Sequence, residues 1–368
     1  VIDALLGTGQ SRALEGNILE AMFCLAAARS APNPPKLLAL DLPTGLNGDT
    51  GEVDFSAVPC DVTCVLGYPK VGLFKFPGAE HAGELRVLDI GVPPGLKEEK
   101  AVQLESLDKS WVARHLPKRP LDSHKGTFGH ALVIAGSRNY VGAAYLASQA
   151  SVRAGAGLTT LASPESVYPI AAARSTEAIH LPLLEDEEGR VGSRAAQVLR
   201  EGSRRYTNVL VGCGLGLSED TVRFVEDLLF NQDDSGLSEL PALVDADGLN
   251  NLARIEDWAK RPRGPLVLTP HPGEMATLTG LPTIEIQENR VSVVREYSNK
   301  WNVTLVLKGA NTVIGQPDGT VRVASFANPG MATGGTGDIL SGVIAGLMAQ
   351  GLEPAAAAGC GVYLHGDA

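Results

Sequence analysis

Short apolar segments, each followed directly by a glycine or polar loop, recur along most of this 368-residue chain. From residue 131 onward they are ALVIAGS, LTTLASP, NVLVGCGLG, ALVDADGLN, PLVLTPHPGEM and VTLVLKGANTVI. The first is followed by a small-residue helical segment, GAAYLASQASVRAGAG, which ends at glycine. Strands that alternate with helices favour β-α-β units and a parallel sheet. We therefore expect an α/β fold whose mainly parallel sheet has helices on both faces and ligand-binding loops at the C-terminal ends of its strands.

One segment of the larger part predicts antiparallel pairing instead. In NTVIGQPDGTVRVAS, two apolar runs flank a turn that contains Asp318 and Gly319. Asp-Gly between such runs is a strong signal for a β-hairpin. We therefore expect a hairpin at this point of the otherwise parallel sheet.

The first hundred residues show a shorter version of the same alternation. Apolar runs in LLALDLPTGLNGDTG, DVTCVLGYPKVGL and GELRVLDIGVP predict strands, and residues 18–28 predict an alanine-rich helix. Prolines, glycine and charged residues cluster in PPGLKEEKAVQLES, which indicates a boundary. We predict two domains, residues 1–100 and residues 101–368.

Because VIDALLGTG begins within a strand and GVYLHGDA ends within a helix, we also expect the chain to be a fragment of a longer protein.

Charge and cysteine content restrict the classes of function. The net charge of −11 at pH 7 argues against general binding to nucleic acid or to an anionic membrane surface. The five cysteines are scattered, with no Cys-x-x-Cys pair, so buried or free thiols are favoured over a zinc site or a disulfide. No apolar run approaches the roughly 18 residues that a membrane helix needs. We expect a cytoplasmic protein that acts on small molecules.

The segment NPGMATGGTGDILSG, residues 328–342, is the strongest local signal for chemistry. Its glycines directly precede a predicted buried helix that begins near Asp338. The first N–H groups of a helix lack intrahelical partners and lie at its electropositive end, so this loop can bind an anion such as phosphate. The alternative is a tight loop in which Asp338 only caps the helix. The segment fits neither the P-loop nor the dinucleotide-binding fingerprint.

Three further loops carry polar side chains directly after predicted strands. TPHPGEM carries His271 and Glu274, which could act in a site or make turn hydrogen bonds. LKGANT carries Lys308, which could bind an anion or remain a solvated charge. DADGLN carries Asp245 and Asp247, which could be turn residues or could bind Mg²⁺ through water. Each loop is a weak signal by itself, but their combination is specific.

The combination resembles the ADP-dependent NAD(P)HX dehydratases, a branch of the ribokinase-like superfamily. NAD(P)HX denotes NADH or NADPH hydrated at the nicotinamide ring. The matching segments are HKGTFGHALVIAGS, GAAYLASQASVRAGAG, VGCGLG, DADGLN, LTPHPGEM, LKGANTVI and NPGMATGGTGDILSG, and they span residues 123–368. The segments DALLGTG, ALDLPTGLNGDTG and KVGL resemble the later part of an NAD(P)HX epimerase. The epimerase loop Asn-Asn-Gly-Gly-Asp-Gly would precede Val1.

The resemblance implies a partial Rossmann-like epimerase domain followed by a ribokinase-like α/β/α domain. The dehydratase would phosphorylate the C6 hydroxyl of (6S)-NAD(P)HX with ADP and eliminate phosphate, which restores NAD(P)H and releases AMP. The epimerase would interconvert the (6R) and (6S) forms. ADP, Mg²⁺ and, at the epimerase site, K⁺ are the implied cofactors, and the small-molecule partners are NAD(P)HX and ADP. Neither nucleic acid nor membrane is implied as a partner, and a homo-oligomer is expected.

The resemblance also assigns roles to individual residues. Asp338 and Asp41 are implied as catalytic, with Asp338 as the base that takes the proton of the C6 hydroxyl. The implied hydrate contacts of the dehydratase are Ala143, Gly216, His271 and Asp338, and its nucleotide contacts are Lys308, Gly309, Ala310, Asn311, Thr312 and Gly337. The implied epimerase contacts are Gly7, Thr8, Gly9, Gln10, Ser11, Arg12, Ala13 and Asp41, with Asp3 and Thr44 as K⁺ ligands.

Two other functions compete with the dehydratase interpretation. A ribokinase-like small-molecule kinase would use the same Gly-Thr-Gly-Asp segment but would stop at the phosphate ester. A catalytically silent nucleotide-binding module would bind without turnover. The epimerase-like segment argues against the first, and the presence of Asp338 and His271 argues against the second. Because the glycine-rich epimerase loop would precede Val1, we expect little or no epimerase activity from this chain.

Overall fold

The computed structural model of the chain describes residues 1–93, 95–233, 235–261 and 263–368. It divides into two compact units, Val1–Val102 and Gln103–Ala368. Pro94, in the segment that predicts the boundary, lies outside the described residues. Among the described residues, no helix is both long and apolar enough to cross a membrane.

The smaller unit is a four-stranded parallel sheet with helices. Its elements are β1 (Ile2–Asp3), α1 (Gly16–Arg29), β2 (Leu38–Leu40), β3 (Val62–Leu66), α2 (Gly78–Ala82), β4 (Glu84–Leu88) and α3 (Lys97–Lys100). The strands pair in sequence order, β1-β2-β3-β4, and every pairing is parallel. Met22 of α1 is fully buried and packs with Leu37 and Ala39 at β2. The predicted strands and alanine-rich helix are thus confirmed.

The larger unit begins with β5 (Leu104–Leu107) and α4 (Lys109–His115). The elements that follow are β6 (His130–Ile134), α5 (Val141–Arg153), β7 (Leu158–Pro164), α6 (Tyr168–Ala172), β8 (Ile179–Leu183), α7 (Ala195–Arg200), β9 (Asn208–Val211), α8 (Glu219–Phe230), β10 (Ala242–Val244), α9 (Asp247–Leu252), β11 (Leu266–Leu268), α10 (Pro272–Thr279), α11 (Thr283–Glu288), α12 (Arg290–Trp301), β12 (Thr304–Leu307), β13 (Val313–Gly315), β14 (Val321–Ala324), α13 (Thr336–Ala349) and α14 (Pro354–Asp367).

The ten strands of this unit form one sheet in the order β5-β14-β13-β12-β11-β10-β9-β6-β7-β8. All pairings are parallel except β12 with β13 and β13 with β14. The predicted hairpin is therefore confirmed as β13 and β14. The strands β5 (LESL) and β8 (IHLPL) were not predicted, because polar or proline residues interrupt their apolar residues and leave no continuous apolar run. The strand β5 pairs with β14.

Helices cover both faces of the central strands. All residues of β6, β9 and β12 are buried, and successive side chains of a strand point to opposite faces. Val133 and Leu210 pack with Ala147 of α5 and Ile344 of α13 in one core cluster. The mainly parallel, helix-covered sheet is the fold expected from the sequence.

Two glycines let α13 approach α5 closely. A Cβ at Gly342 would lie 2.2 Å from the backbone oxygen of Ala147, and one at Gly346 would lie 2.5 Å from the backbone oxygen of Ser151. Neither contact can be relieved by rotating a side chain, because the obstructing atoms belong to the backbone. The backbone contact therefore sets the distance between α13 and α5.

We expect Gly342→Ala to lower the free energy of unfolding by about 1–3 kcal/mol, the usual cost of overpacking a core. Equilibrium denaturation by urea measures this loss. Gly142→Ala on α5 is the matched control, since a Cβ at Gly142 meets nothing within 4 Å. The control should be neutral or slightly stabilising, because alanine favours helix over glycine. Equal stability of the two variants would contradict the close-packing interpretation.

Candidate active site

The polar loops meet at the C-terminal edge of the parallel strands. Asp245 follows β10, His271 follows β11 and Lys308 follows β12, and these three strands are neighbours in the sheet. Parallel neighbours end at the same edge, so their loops converge. This edge is where ligands bind in open α/β sheets.

Lys308 is the cationic centre of this edge. Its Nζ lies 2.6 Å from Asp245 Oδ1 and 3.6 Å from Glu274 Oε2. Burial alone would lower the pKa of Lys308, but the charges of Asp245 and Glu274 raise it on balance. A Cβ at Gly337 would lie 3.7 Å from the same Nζ. Lys308 is therefore a protonated, largely buried cation beside the start of α13, so its interpretation as a solvated charge is wrong.

Asp245 joins two of the converging elements. Its side chain is only 2% exposed, and its Oδ2 accepts a hydrogen bond of 2.7 Å from the Ser341 hydroxyl of α13. Its Oδ1 accepts the Lys308 bond. Asp245 is therefore neither a simple turn residue nor a free metal ligand.

His271 caps the N-terminus of α10. Its Nδ1 accepts hydrogen bonds from the backbone N–H groups of Gly273 and Glu274, at 3.0 and 3.2 Å. Glu274 in turn accepts a bond of 2.7 Å from the His271 N–H, which completes a capping box. The ring remains 57% exposed, so the structural role leaves its outer side free for a ligand. Burial raises the pKa of Glu274, against the opposing effect of the Lys308 charge.

The glycine loop ends at the N-terminus of α13, as expected. Gly335 has φ 90°, in the left-handed region that favours glycine, and a Cβ there would lie 2.6 Å from Leu146. Asp338 is in the first turn of the helix. Burial, followed by the negative charge of Asp245, raises the pKa of Asp338, while a hydrogen bond from Cys213 lowers it. A carboxylate with a raised pKa beside free helix N–H groups suits proton abstraction near a phosphate.

Gly216 and Ala143 lie on the β9 side of the same edge. The N–H of Gly216 donates to Asp247 Oδ2 at 2.9 Å, and its carbonyl accepts from Asn251 at 2.9 Å. A Cβ at Gly214 would lie 2.9 Å from the Ala143 Cβ. The loop after β9 is thus held between α5 and α9.

The loop that contains residues 308–312 is shaped by unusual backbone angles and by one buried arginine. Gly309 has φ 138° and Asn311 has φ 50°. Arg290 donates to the carbonyls of Leu307 and Lys308, at 2.9 and 3.3 Å. Burial lowers the pKa of Arg290 to about 10, so this cation stays protonated at neutral pH. Ala310 and Thr312 belong to the same loop, and the Thr312 hydroxyl donates to the Gly309 carbonyl at 2.8 Å.

The carboxylates of this edge do not form a metal site by themselves. Both oxygens of Asp245 are engaged, by Lys308 and Ser341. Within the described ranges, no group of three or more His, Cys, Asp or Glu side chains is arranged to hold a metal ion. A direct carboxylate cluster for Mg²⁺ is therefore not formed, and binding of Mg²⁺ through water at Asp245 and Asp247 stays a prediction. Mg²⁺ is commonly bound through substrate phosphates and water instead.

In the smaller unit, the two predicted K⁺ ligands, Asp3 and Thr44, lie in contact. Thr44 donates from its hydroxyl to Asp3 Oδ1 at 2.6 Å and from its N–H to Asp3 Oδ2 at 2.8 Å. Asp41, at φ 70°, forms an ion pair with Lys70 and accepts from the Leu66 N–H at 3.0 Å. A Cβ at Gly7 would lie 3.9 Å from Asp41 Oδ2. The strand ends of β1 and β2 thus bring Asp3, Asp41 and Thr44 to one edge.

The loop of residues 7–13 runs over the same edge. The Gln10 amide oxygen accepts from the Gly45 N–H at 3.0 Å, and the Gln10 carbonyl accepts from Asn47 at 3.2 Å. A cavity of about 180 Å³ is lined by Gln10, Ser11, Arg12 and Ala13 on one side and by Gly45 and Asp54 on the other. Thr8 and Gly9 are exposed.

A larger cavity of the larger unit lies away from the loops that carry Lys308 and Asp338. It has a volume of about 510 Å³ and is lined by residues 200–205 and Ser235. These residues precede β9, so they lie at the opposite edge of the sheet from Lys308 and Asp338. Size alone therefore does not locate the reactive residues.

Two residues that were not predicted as site residues, Ser341 and Lys70, support the sites through side-chain contacts. Both lie within segments that carry the family resemblance, NPGMATGGTGDILSG and KVGL, but nothing in those segments singles them out, because their importance comes from contacts with distant residues. Asp245 and Glu274 were candidates from their loops, and the structure places both beside Lys308.

Comparison with protein families matches both parts of the chain. A family described as NAD(P)H-hydrate dehydratase matches residues 131–368, and one described as YjeF-related protein N-terminus matches residues 1–72. Bifunctional NAD(P)H-hydrate repair enzymes are similar along the whole chain. The enzyme of Moorella thermoacetica is 40% identical over 368 residues, and that of Thermofilum pendens is 41% identical over 366 residues. In both cases the chain covers 67% of the relative's length.

Solved structures resemble the larger unit. The ADP/ATP-dependent NAD(P)H-hydrate dehydratase of Bacillus subtilis, co-crystallised with ATP and Mg²⁺, is 32% identical with a TM-score of 0.61. The match covers 73% of this chain and 89% of that one. A ribokinase-like superfamily protein of Enterococcus faecalis is 26% identical with the same TM-score of 0.61, over 75% of this chain and 88% of the other.

Proposed function

The chain belongs to the NAD(P)H-hydrate dehydratase family, and from this membership we infer that it repairs hydrated NAD(P)H by ADP-dependent dehydration. The larger unit carries this reaction. The observation that supports the inference most directly is the position of Asp338 in the first turn of α13, directly after Gly337, which lies beside Lys308 Nζ. A base, a cation and unpaired helix N–H groups there are the parts that phosphoryl transfer to an alcohol requires.

In the first step Asp338 accepts the proton of the C6 hydroxyl. The hydroxyl oxygen attacks the β-phosphorus of ADP, the bond from that phosphorus to the bridging oxygen breaks, and AMP leaves. The N–H groups of residues 334–337 and the Lys308 ammonium stabilise the charge on the transferring group. Such stabilisation by fixed donors supplies most of the catalysis in phosphoryl transfer.

In the second step the phosphate ester is eliminated. The C6–O bond breaks with its electron pair on phosphate, and a proton leaves C5, so the ring double bond is restored. The sum is NAD(P)HX and ADP converted to NAD(P)H, AMP and phosphate. No oxidant or reductant is needed, because the hydrate differs from NAD(P)H only by water.

We propose nucleotide contacts at Lys308, Gly309, Ala310, Asn311, Thr312 and Gly337. The contacts proposed for the hydrate are Ala143, Gly216, His271 and Asp338. The convergence of their loops at one sheet edge supports both sets. ADP is proposed as the phosphoryl donor, with Mg²⁺ carried by its phosphates rather than by a protein cluster. A cytoplasmic location and a homo-oligomeric state stay predictions.

For the smaller unit we propose the hydrate-contacting part of an epimerase site. Asp41 would act on the hydrate, which the loop of residues 7–13 would hold. The adjacent oxygens of Asp3 and Thr44 suit a K⁺ ion in oxygen donor type, and K⁺ would supply positive charge near the phosphates of the hydrate. Offering pure (R)-hydrate and following the (S)-epimer by chromatography tests these contacts, because conversion above the spontaneous rate should fall when Asp41 is replaced with asparagine.

The dehydratase assay mixes the protein with ADP, Mg²⁺ and (S)-hydrate and follows NADH absorbance together with AMP release. Recovery of NADH is the expected result. A phosphate ester without NADH would instead indicate a small-molecule kinase. Nucleotide binding without turnover would indicate a silent module.

The dehydration rate should fall as the pH drops through the raised pKa of Asp338. Above that pKa the carboxylate is ionised and can accept the hydroxyl proton, whereas below it the protonated group cannot. We expect the acidic limb of kcat to lie above the ordinary Asp value of about 3.9. AMP release, followed by chromatography across the acidic range, measures the limb, and tryptophan fluorescence confirms that the protein stays folded. A limb at or below the ordinary value would contradict Asp338 as the base.

A further inference from the structure

We propose that Asp245 is a positioning residue for phosphoryl transfer, which holds the Lys308 ammonium and helix α13 in a fixed relation to each other. The proposal rests on the dehydratase function inferred above. It assigns Asp245 no contact with the substrate. Asp245 acts through Lys308 and through Ser341.

The first support is the ion pair across the sheet. Asp245 follows β10 and Lys308 follows β12, with β11 between them. Their side chains nevertheless meet, with 2.6 Å between Asp245 Oδ1 and Lys308 Nζ. The lysine side chain is long and flexible, so without a fixed acceptor its ammonium would sample several positions. The Asp245 carboxylate holds the Lys308 ammonium at the position beside Gly337.

The second support is the bond to α13. Asp245 Oδ2 accepts from Ser341 Oγ at 2.7 Å. Ser341 lies three residues after Asp338 on the same helix, and residues at this spacing share a helix face. The bond therefore fixes the rotation of α13 about its axis, and with it the direction of the face that carries Asp338. One carboxylate thus aligns both the cation and the base.

The third support is the charge of Asp245 itself. A carboxylate near a site for a polyanion opposes nucleotide binding, so Asp245 does not serve binding strength. Its side chain is buried and both of its oxygens are engaged, so it offers no oxygen to a ligand. Neutralising it should therefore lower turnover much more than it changes ADP affinity, because loss of the repelling charge offsets a weaker Lys308 contact. A residue that served only stability would not separate these two quantities.

The test compares Asp245→Asn with the wild-type protein. We expect kcat to fall about 10²-fold, the loss that a misplacement of about 1 Å commonly causes. The Kd for ADP, measured by calorimetry, should change much less than kcat. Asp227→Asn on α8 is the control, because it removes the same charge from an ion pair with Arg200 away from the site. The control should keep both kcat and Kd.

A second variant, Ser341→Ala, tests the proposal even if Asp245→Asn fails to fold. It removes only the bond to α13, and we expect kcat to fall about fivefold, the effect of one ordinary hydrogen bond. A kcat for Asp245→Asn within about threefold of wild type would overturn the proposal. A loss of kcat that only matches a loss of ADP binding stoichiometry would also overturn it, since the fall in turnover would then reflect unfolded protein.

Crystal structures of both proteins with ADP provide a readout that is independent of turnover. We expect Lys308 Nζ to be displaced in Asp245→Asn, whereas an unmoved Lys308 and α13 would contradict the positioning role. If the wild-type protein binds ADP without restoring NADH, the proposed function fails. The position of Lys308 still decides the role of Asp245 in that case.

Discussion

Replacing Asp338 with asparagine is expected to lower the kcat for dehydration by about 10²–10⁴-fold, the usual contribution of a positioned base. Asparagine keeps the size of the side chain and its position in the first turn of α13, but it cannot accept the hydroxyl proton. The helix N–H groups that would contact the phosphate belong to the backbone and remain. ADP binding should therefore survive the change.

NADH recovery measures the rate of the Asp338→Asn variant, and calorimetry with ADP measures its binding. Asp247→Asn serves as a comparison at the same sheet edge, because Asp247 holds the Gly216 N–H rather than a reacting atom. We expect a smaller loss there, seen mainly as a higher KM for the hydrate. Near-normal turnover by Asp338→Asn would remove Asp338 from the role of base.

Replacing Lys308 with methionine is expected to destabilise the protein by about 3–5 kcal/mol, because it leaves a buried carboxylate without its partner. Asp245 is 2% exposed and Lys308 is 18% exposed in this ion pair, so water can replace little of the lost interaction. Dehydration should be lost as well, since the proposed charge stabilisation at the start of α13 disappears. Urea denaturation measures the free energy of unfolding.

The double variant Lys308→Met with Asp245→Asn separates the two causes. Removing the orphaned charge should restore part of the stability but none of the activity. Lys260→Met is the control for loss of a lysine, since its ion pair with Asp257 is exposed, at 80% and 64%. An exposed pair contributes at most about 1 kcal/mol. A loss for Lys308→Met as small as that of the control would contradict the buried-pair interpretation.

The fold of both units was predictable because its signals are local. The apolar runs before Asp41, Asp245 and Lys308 identified strands, and the polar residue that ended each run identified the edge at which loops converge. The glycines before Asp338 indicated a helix N-terminus, which the structure confirms. Strands β5 and β8 were missed, because they lie towards the ends of the sheet, where a continuous apolar run is not required.

Local sequence thus sets which segments along the chain form strands, where the anion-binding helix begins and which residue types follow the strands. Which of these residues come into contact depends on how the strands and helices pack. Asp245 reaches Lys308 across 63 residues of sequence and Ser341 across 96. A lone lysine after a strand is ordinarily solvated. Lys308 is instead a buried, paired cation, because β10 and β12 end at the same edge of the sheet on either side of β11. Side-chain partnership depends on this packing, since local sequence sets backbone preference but not long-range distance.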